Sequence, residues 1–136
     1  MEYLLDTNAC MALINGQPAT VRARLHKEVA AGRRIFVSSV ALFELWYGVA
    51  KSAKQDFNRK RLEAFLSGPV QILPFEEADS SMAGVTRAML EASGKAIGAY
   101  DVLIAGQALH RQLTLVTSNI SEFSRVKGLG WQDWGK

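Results

Sequence analysis

Asp6, Glu44 and Asp101 lie far apart in the chain, yet each falls at the end of an apolar run or in the first turns of a helix. Asp6 closes Tyr3-Leu4-Leu5. Glu44 lies about one and a half turns into the helix after Ile35-Phe36-Val37, and Asp101 opens an apolar helix. Asn119 and Glu122 come just after Leu113-Thr114-Leu115-Val116, and the small hydroxyls Thr7, Ser38 and Thr117 occupy the same kind of boundary. Carboxylates brought together cannot all stay ionised unless protons or a cation neutralise them. An acid/base pair and a metal centre are therefore both open. Oxygen ligands without histidine or cysteine suit Mg²⁺ or Mn²⁺ better than Zn²⁺. Such an ion can activate a water for in-line attack on a phosphodiester.

Each acid also has a plainer reading. Asp6 is a good helix N-cap, and Asp101 is a first-turn acid of the kind the helix dipole favours. Glu44 resists that treatment, because it sits in Val40-Ala41-Leu42-Phe43-Glu44-Leu45-Trp46-Tyr47. An acid in so apolar a helix is costly to bury unless paired or bound to metal.

These residues can meet only if the intervening elements bring them to one edge. Short runs at Tyr3–Leu5, Ile35–Val37, Val70–Leu73 and Leu113–Val116 read as strands, and the tail from Gly128 to Trp134 adds a short edge strand. Helical spacing comes after each of the first three: Val21, Leu25 and Val29; Val40, Phe43 and Tyr47; Phe57, Leu62, Phe65 and Leu66; Met82, Val85 and Met89. We take these as the inward stripes. Alternating strands and helices imply an α/β fold, a three-layer α/β/α sandwich around a mostly parallel sheet of about four to five strands. Ligands of such folds bind beyond the carboxyl ends of the strands, where the acids fall.

With 136 residues, 49% hydrophobic and 21% charged, the chain has the size and composition of one globular domain, residues 1–136. That composition excludes a disordered chain. No apolar run is long enough to cross a membrane. Met1 to Asp6 lacks the basic start of a signal peptide, so the expected location is the cytoplasm. The lone Cys10 excludes an intrachain disulfide and a cysteine-based zinc site, and reads as a small buried hydrophobe. A net charge of +3 is a mild lean toward nucleic acid. The basic groups at 22–34 and 51–61 are equally compatible with solvated helix faces. Asp79 in Glu76-Glu77-Ala78-Asp79 reads as a cap. His26 and His110 read as surface residues, and Trp46 and Tyr47 as core or as stacking surfaces for a base.

Four blocks carry a resemblance: Leu5-Asp6-Thr7-Asn8, Ser38 to Gly48, Ile97 to Ala105 with Tyr100-Asp101, and Leu115-Val116-Thr117-Ser118-Asn119-Ile120-Ser121-Glu122-Phe123. In order and spacing they resemble the PIN-domain ribonuclease toxins called VapC, over essentially the whole chain. The likeness is greatest to members that cut initiator tRNA in the anticodon loop. It implies a Mg²⁺- or Mn²⁺-dependent endoribonuclease of a toxin–antitoxin system. It also implies a VapB-type antitoxin as partner, a homodimer, and a toxin–antitoxin assembly on operator DNA through the antitoxin. Asp6, Glu44 and Asp101 match the family's acidic positions and would hold the metal, Glu44 directly or through water. The fourth position, often Asp in the family, is Asn119 here, with Glu122 as another candidate ligand. Thr7, Asn8, Ser38 and Thr117 match polar positions beside the metal. Because of the Asn119 departure, a catalytically degenerate module that binds RNA or a partner is the alternative. A flavodoxin-like phosphate-binding or response-regulator domain fits least, since no phosphate loop or late-strand lysine comes after Thr117.

Overall fold

A computed structural model describes residues 1–136. Five short strands carry the apolar runs: β1 (Tyr3–Leu5), β2 (Ile35–Ser38), β3 (Gln71–Leu73), β4 (Thr114–Val116) and β5 (Trp131–Gln132). They form one sheet in the order β3-β2-β1-β4-β5, with every neighbouring pair parallel. Seven helices connect them: α1 (Thr7–Asn15), α2 (Ala19–Ala30), α3 (Ser39–Lys51), α4 (Gln55–Leu66), α5 (Glu77–Ala92), α6 (Ala99–Arg111) and α7 (Ile120–Phe123). The sheet grows from β1 in one direction through β2 and β3, and in the other through β4 and β5. Right-handed crossovers then place α1–α4 on one face and α5–α7 on the other. The strand order reverses between β1 and β4, and that crevice is where folds of this kind bind ligands.

The central strands are buried on both faces, as a sheet covered twice requires. Tyr3, Leu4, Leu5, Ile35, Val37, Leu115 and Val116 are almost wholly excluded from solvent. Registers Leu5↔Val37 and Leu5↔Val116 bring the ends of β1, β2 and β4 level, so Asp6, Ser38 and Thr117 emerge side by side. Asp6 caps α1, accepting the Ala9 N–H at 2.7 Å. Ser38 caps α3 through the Val40 N–H.

Two inward stripes differ from the expected ones. In α3 the buried residues are Ala41 and Leu45, while Phe43 and Tyr47 are 53% and 56% exposed. In α5 the buried face is Asp79, Ala83, Thr86 and Leu90, and Val85 and Met89 point to solvent. The reason in α5 is close packing against α6. A Cβ on Gly106 would lie 2.5 Å from the Cα of Ala83, so only small residues fit where the two helices touch.

The basic segment at 22–34 also differs from a solvated face. Glu28 is buried and accepts the Tyr3 hydroxyl at 2.9 Å and Arg24 Nε at 3.0 Å, with Arg33 at 3.7 Å. Arg24 also donates to Gln132 and stacks over Trp134, which meets Tyr3 edge to face. This network ties the C-terminal strand to the start of the sheet.

Candidate metal centre

The crevice beyond β1, β2 and β4 collects the polar residues singled out in the sequence. Asp6 is 2% exposed. Its carboxylate accepts the backbone N–H of Ala9 at 2.7 Å, and the Asn8 N–H and the Thr117 hydroxyl lie near enough to favour its charged form. Burial outweighs those bonds, the charge of Glu44 adds to it, and the pKa rises to about 6. Thr7, the first residue of α1, donates to Glu44 Oε1 at 2.6 Å and so joins α1 to α3 across the site. Asp101 lies in the first turn of α6. Burial is the main reason its pKa rises to about 7; the charges of Glu122, Asp6 and Glu44 push the same way. The three acids thus lie near enough for each charge to act on its neighbours.

Asn119 and Glu122 form a brace beside them. Asn119 Nδ2 donates to Glu122 Oε2 at 2.5 Å, and the Gly98 N–H donates to Glu122 Oε1 at 2.9 Å. The Asn119 hydrogen bond, then that of Gly98, lowers the pKa of Glu122. Glu122 and Asp101 also lie within hydrogen-bonding reach of one another. The brace holds the 97–99 turn, and with it the start of α6, against the end of β4. Both Glu122 oxygens are already engaged by donors. The amide oxygen of Asn119 accepts only a long bond from Ser121, at 3.3 Å. Thr117 is buried, and its hydroxyl accepts the Asn119 N–H at 2.9 Å. Ser38 is fully buried and serves its helix cap. The Asn8 side chain faces solvent, so its tie to the site is through its backbone.

The donor set is all oxygen, it carries uncompensated negative charge, and no lysine or arginine pairs with Asp6, Glu44 or Asp101. That set fits a hard divalent cation such as Mg²⁺ or Mn²⁺. No three of these acids stand close enough together to form a ready-made cage for an ion. An ion bound through some of its own waters, as Mg²⁺ prefers, suits such spacing.

Elsewhere the structure treats acids differently. Asp79 is fully buried, receives Arg111 at 3.1 Å and closes a capping box with Glu76, so the cap reading holds. Cys10 is buried, and His26 and His110 are exposed. Sequence reasoning missed the Asn119–Glu122–Gly98 brace. The three-residue spacing of Asn119 and Glu122 is its only local signal.

The PIN domain family matches residues 3–129. "Ribonuclease VapC2" of Rickettsia felis is 40% identical over 136 residues, covering all of both chains. "tRNA(fMet)-specific endonuclease VapC" of Shigella flexneri is 38% identical over 134 residues, 98% of each. Among solved structures, VapBC2 from Rickettsia felis bound to a promoter DNA fragment superimposes with a TM-score of 0.90 at 39% identity, covering 97% of this chain and 98% of the other. DNA-bound VapBC from Salmonella typhimurium also reaches 0.90, at 35% identity and 98% coverage of both. The chain therefore belongs to the PIN-domain family, among its VapC ribonuclease toxins. The parallel five-stranded sheet agrees with that family's architecture.

Proposed function

We propose that this chain is a Mg²⁺- or Mn²⁺-dependent endoribonuclease toxin that hydrolyses tRNA, with initiator tRNA the first substrate to try. Its activity is held in check by a VapB-type antitoxin. One observation supports this reading above the others: the buried Asp6 shares the crevice with Glu44 and Asp101, and no lysine or arginine is paired with any of the three. The names of the relatives narrow the substrate, and the VapBC complexes among the similar structures supply the partner and its DNA-bound assembly.

The ion would be held by Asp6 and Asp101, with Glu44 and the Asn119 amide oxygen completing the set. When bound, it would neutralise the scissile phosphate and acidify a water. The chain's own part is placement. Thr117 and the α1 backbone hold Asp6 deprotonated once a cation is near, Thr7 orients Glu44, and Glu122 fixes the turn before Asp101. Because water attacks rather than the 2′-hydroxyl, the products carry a 5′-phosphate and a 3′-hydroxyl.

Purified total tRNA incubated with the chain in Mg²⁺ and in Mn²⁺ tests the proposal. The expected result is one discrete cut, abolished by EDTA and by Asp6→Asn. Cutting that survives EDTA, or a 2′,3′-cyclic phosphate product, would overturn it. Tight RNA binding without cleavage in either metal would mean a degenerate binding module.

A further inference from the structure

Asp6 and Thr117 meet from neighbouring strand ends, and each backbone is fixed from a different side. The Asp6 N–H donates to the Val116 carbonyl at 3.1 Å, and the Thr117 N–H donates to the Gln132 carbonyl at 3.0 Å. Thr117 is buried, accepts the Asn119 N–H on its hydroxyl at 2.9 Å and stands beside the Asp6 carboxylate. Its placement toward the acid therefore depends on β5. Yet β5 is an edge strand of two residues, paired on one side only and close to the chain's end. A terminal segment of that kind is poorly ordered unless something ties it down.

The Gln132 side chain supplies the tie. Its Oε1 accepts two hydrogen bonds, from Arg24 Nη2 and from Trp134 Nε1, each at 3.1 Å. Arg24 is anchored on the buried Glu28, which also accepts the Tyr3 hydroxyl. The buried Trp134 packs edge to face on Tyr3, with ring centroids 5.1 Å apart. Tyr3 opens β1 and Asp6 comes just after it, so this chain of contacts leaves β1 at one end and returns at the other. An apolar side chain at position 132 could cover Trp134 equally well. It could not fix β5 along its length, whereas a satisfied, directional polar network selects one arrangement. We infer that Gln132 is a positioning residue for the acid cluster: clasped by Arg24 and Trp134, it holds β5 in register and so keeps Thr117 against Asp6 in the arrangement that receives the divalent ion. The inference rests on the metal-centre reading above, and Gln132 acts only through Thr117.

Titration of the full chain with Mn²⁺ in the absence of RNA, followed by the loss of the free-ion EPR signal, tests this without turnover. Gln132→Met keeps the length of the side chain and removes the acceptor. It is expected to weaken Mn²⁺ binding about three- to tenfold and to lower kcat for tRNA cleavage by a similar factor, with KM unchanged. Gln132→Glu restores an oxygen acceptor for both donors and should return both values to those of the parent. Trp134→Phe keeps a ring against Tyr3 and removes one of the two bonds, so its effect should lie between. Asp79→Ala, which breaks the remote pair with Arg111, should lower stability and leave Mn²⁺ affinity alone. Parental Mn²⁺ affinity in Gln132→Met would overturn the inference. So would an equal weakening in Asp79→Ala, which would make the effect one of general stability, or no recovery in Gln132→Glu. A parent chain that binds no Mn²⁺ fails the metal-centre reading and this inference with it. A parent that binds Mn²⁺ while Gln132→Met binds it equally well fails this inference alone.

Discussion

Asp6 and Asp79 are both buried acids at the start of a helix, each capping backbone N–H groups, and the fold pushes their pKa values in opposite directions. Burial raises both. At Asp79 the Arg111 guanidinium, the Glu76 N–H and Gln107 reverse that effect, and the carboxyl ends below its usual range. At Asp6 the hydrogen bonds of Thr117, Ala9 and Asn8 are neutral, Glu44 adds repulsion, and the carboxyl ends at about 6. Glu28 belongs with Asp79: Arg24, Tyr3 and Arg33 lower it. Asp101 belongs with Asp6. Depth does not separate the two kinds of acid in this molecule; the presence of a protein cation does. Asp79 and Glu28 are neutralised within the fold, and Asp6 and Asp101 are not.

Neutralising one acid of each kind challenges this contrast most directly. Asp6→Asn or Asp101→Asn is expected to reduce metal-dependent cleavage at least about 100-fold while leaving the melting temperature in EDTA equal or higher, because repulsion is relieved. Initial rates and thermal melts on the same samples decide it; equal loss of rate and fold would defeat the assignment. Asp79→Ala should do the reverse. Removing one partner of a buried pair costs about 3–5 kcal/mol, and the partly exposed Arg111 reduces that to about 2–3 kcal/mol. Denaturant unfolding should show that loss, with cleavage at 25 °C unchanged.

A pH titration divides the two kinds of acid further. Asp6 and Asp101 bind protons more tightly in the folded chain than in the unfolded one, so without metal their contribution to stability falls as pH rises from about 4 through 6 and 7. Asp79 and Glu28 have lowered values; their contribution is present above the usual carboxylate range and is lost as pH falls through the lowered values. Added Mg²⁺ or Mn²⁺ must displace the protons on Asp6 and Asp101. Its stabilising shift in melting temperature should therefore be small at pH 5 and grow to a plateau near pH 8. A shift independent of pH would remove these acids from the ligand set. The mildest change belongs to Glu122, which is hydrogen-bonded like a structural acid yet faces Asp101. Glu122→Gln should lower cleavage by less than about tenfold and move the acid limb of the pH–rate profile to lower pH, since a charge raising the pKa of Asp101 is gone. An unmoved limb would separate the two residues.

The strand ends and caps are readable in sequence because their signals are local. Tyr3-Leu4-Leu5 before Asp6, and Ile35-Phe36-Val37 before Ser38, announce both the strand and the helix cap after it. Helix faces are harder. Nearly every residue of α3 around Glu44 is apolar, so no polar face sets the phase, and Phe43 and Tyr47 fall at inward spacing although both face solvent. In α5 the buried side consists of Asp79, Ala83, Thr86 and Leu90, and counting large apolar residues cannot find a face chosen for smallness beside Gly106. Pairings such as Tyr3 with Glu28 and Arg111 with Asp79 join residues 25 and 32 positions apart, which only the folded chain brings together. Among the site residues, the types of Asp6, Glu44 and Asp101 are legible, but the Glu122–Gly98 bond that braces α6 depends on a turn 24 residues upstream.

β1, β2 and β4 are only three or four residues long, and Asp6, Ser38 and Thr117 stand at or immediately after their last positions. The residues that close the core, Leu5, Val37 and Val116, are thus the immediate neighbours of those that face the crevice. No flexible spacer separates the hydrophobic interior from the crevice. The entropy of fixing Asp6 is lost when the chain folds rather than when an ion or a substrate arrives, so this edge of the molecule meets its ligand preorganised.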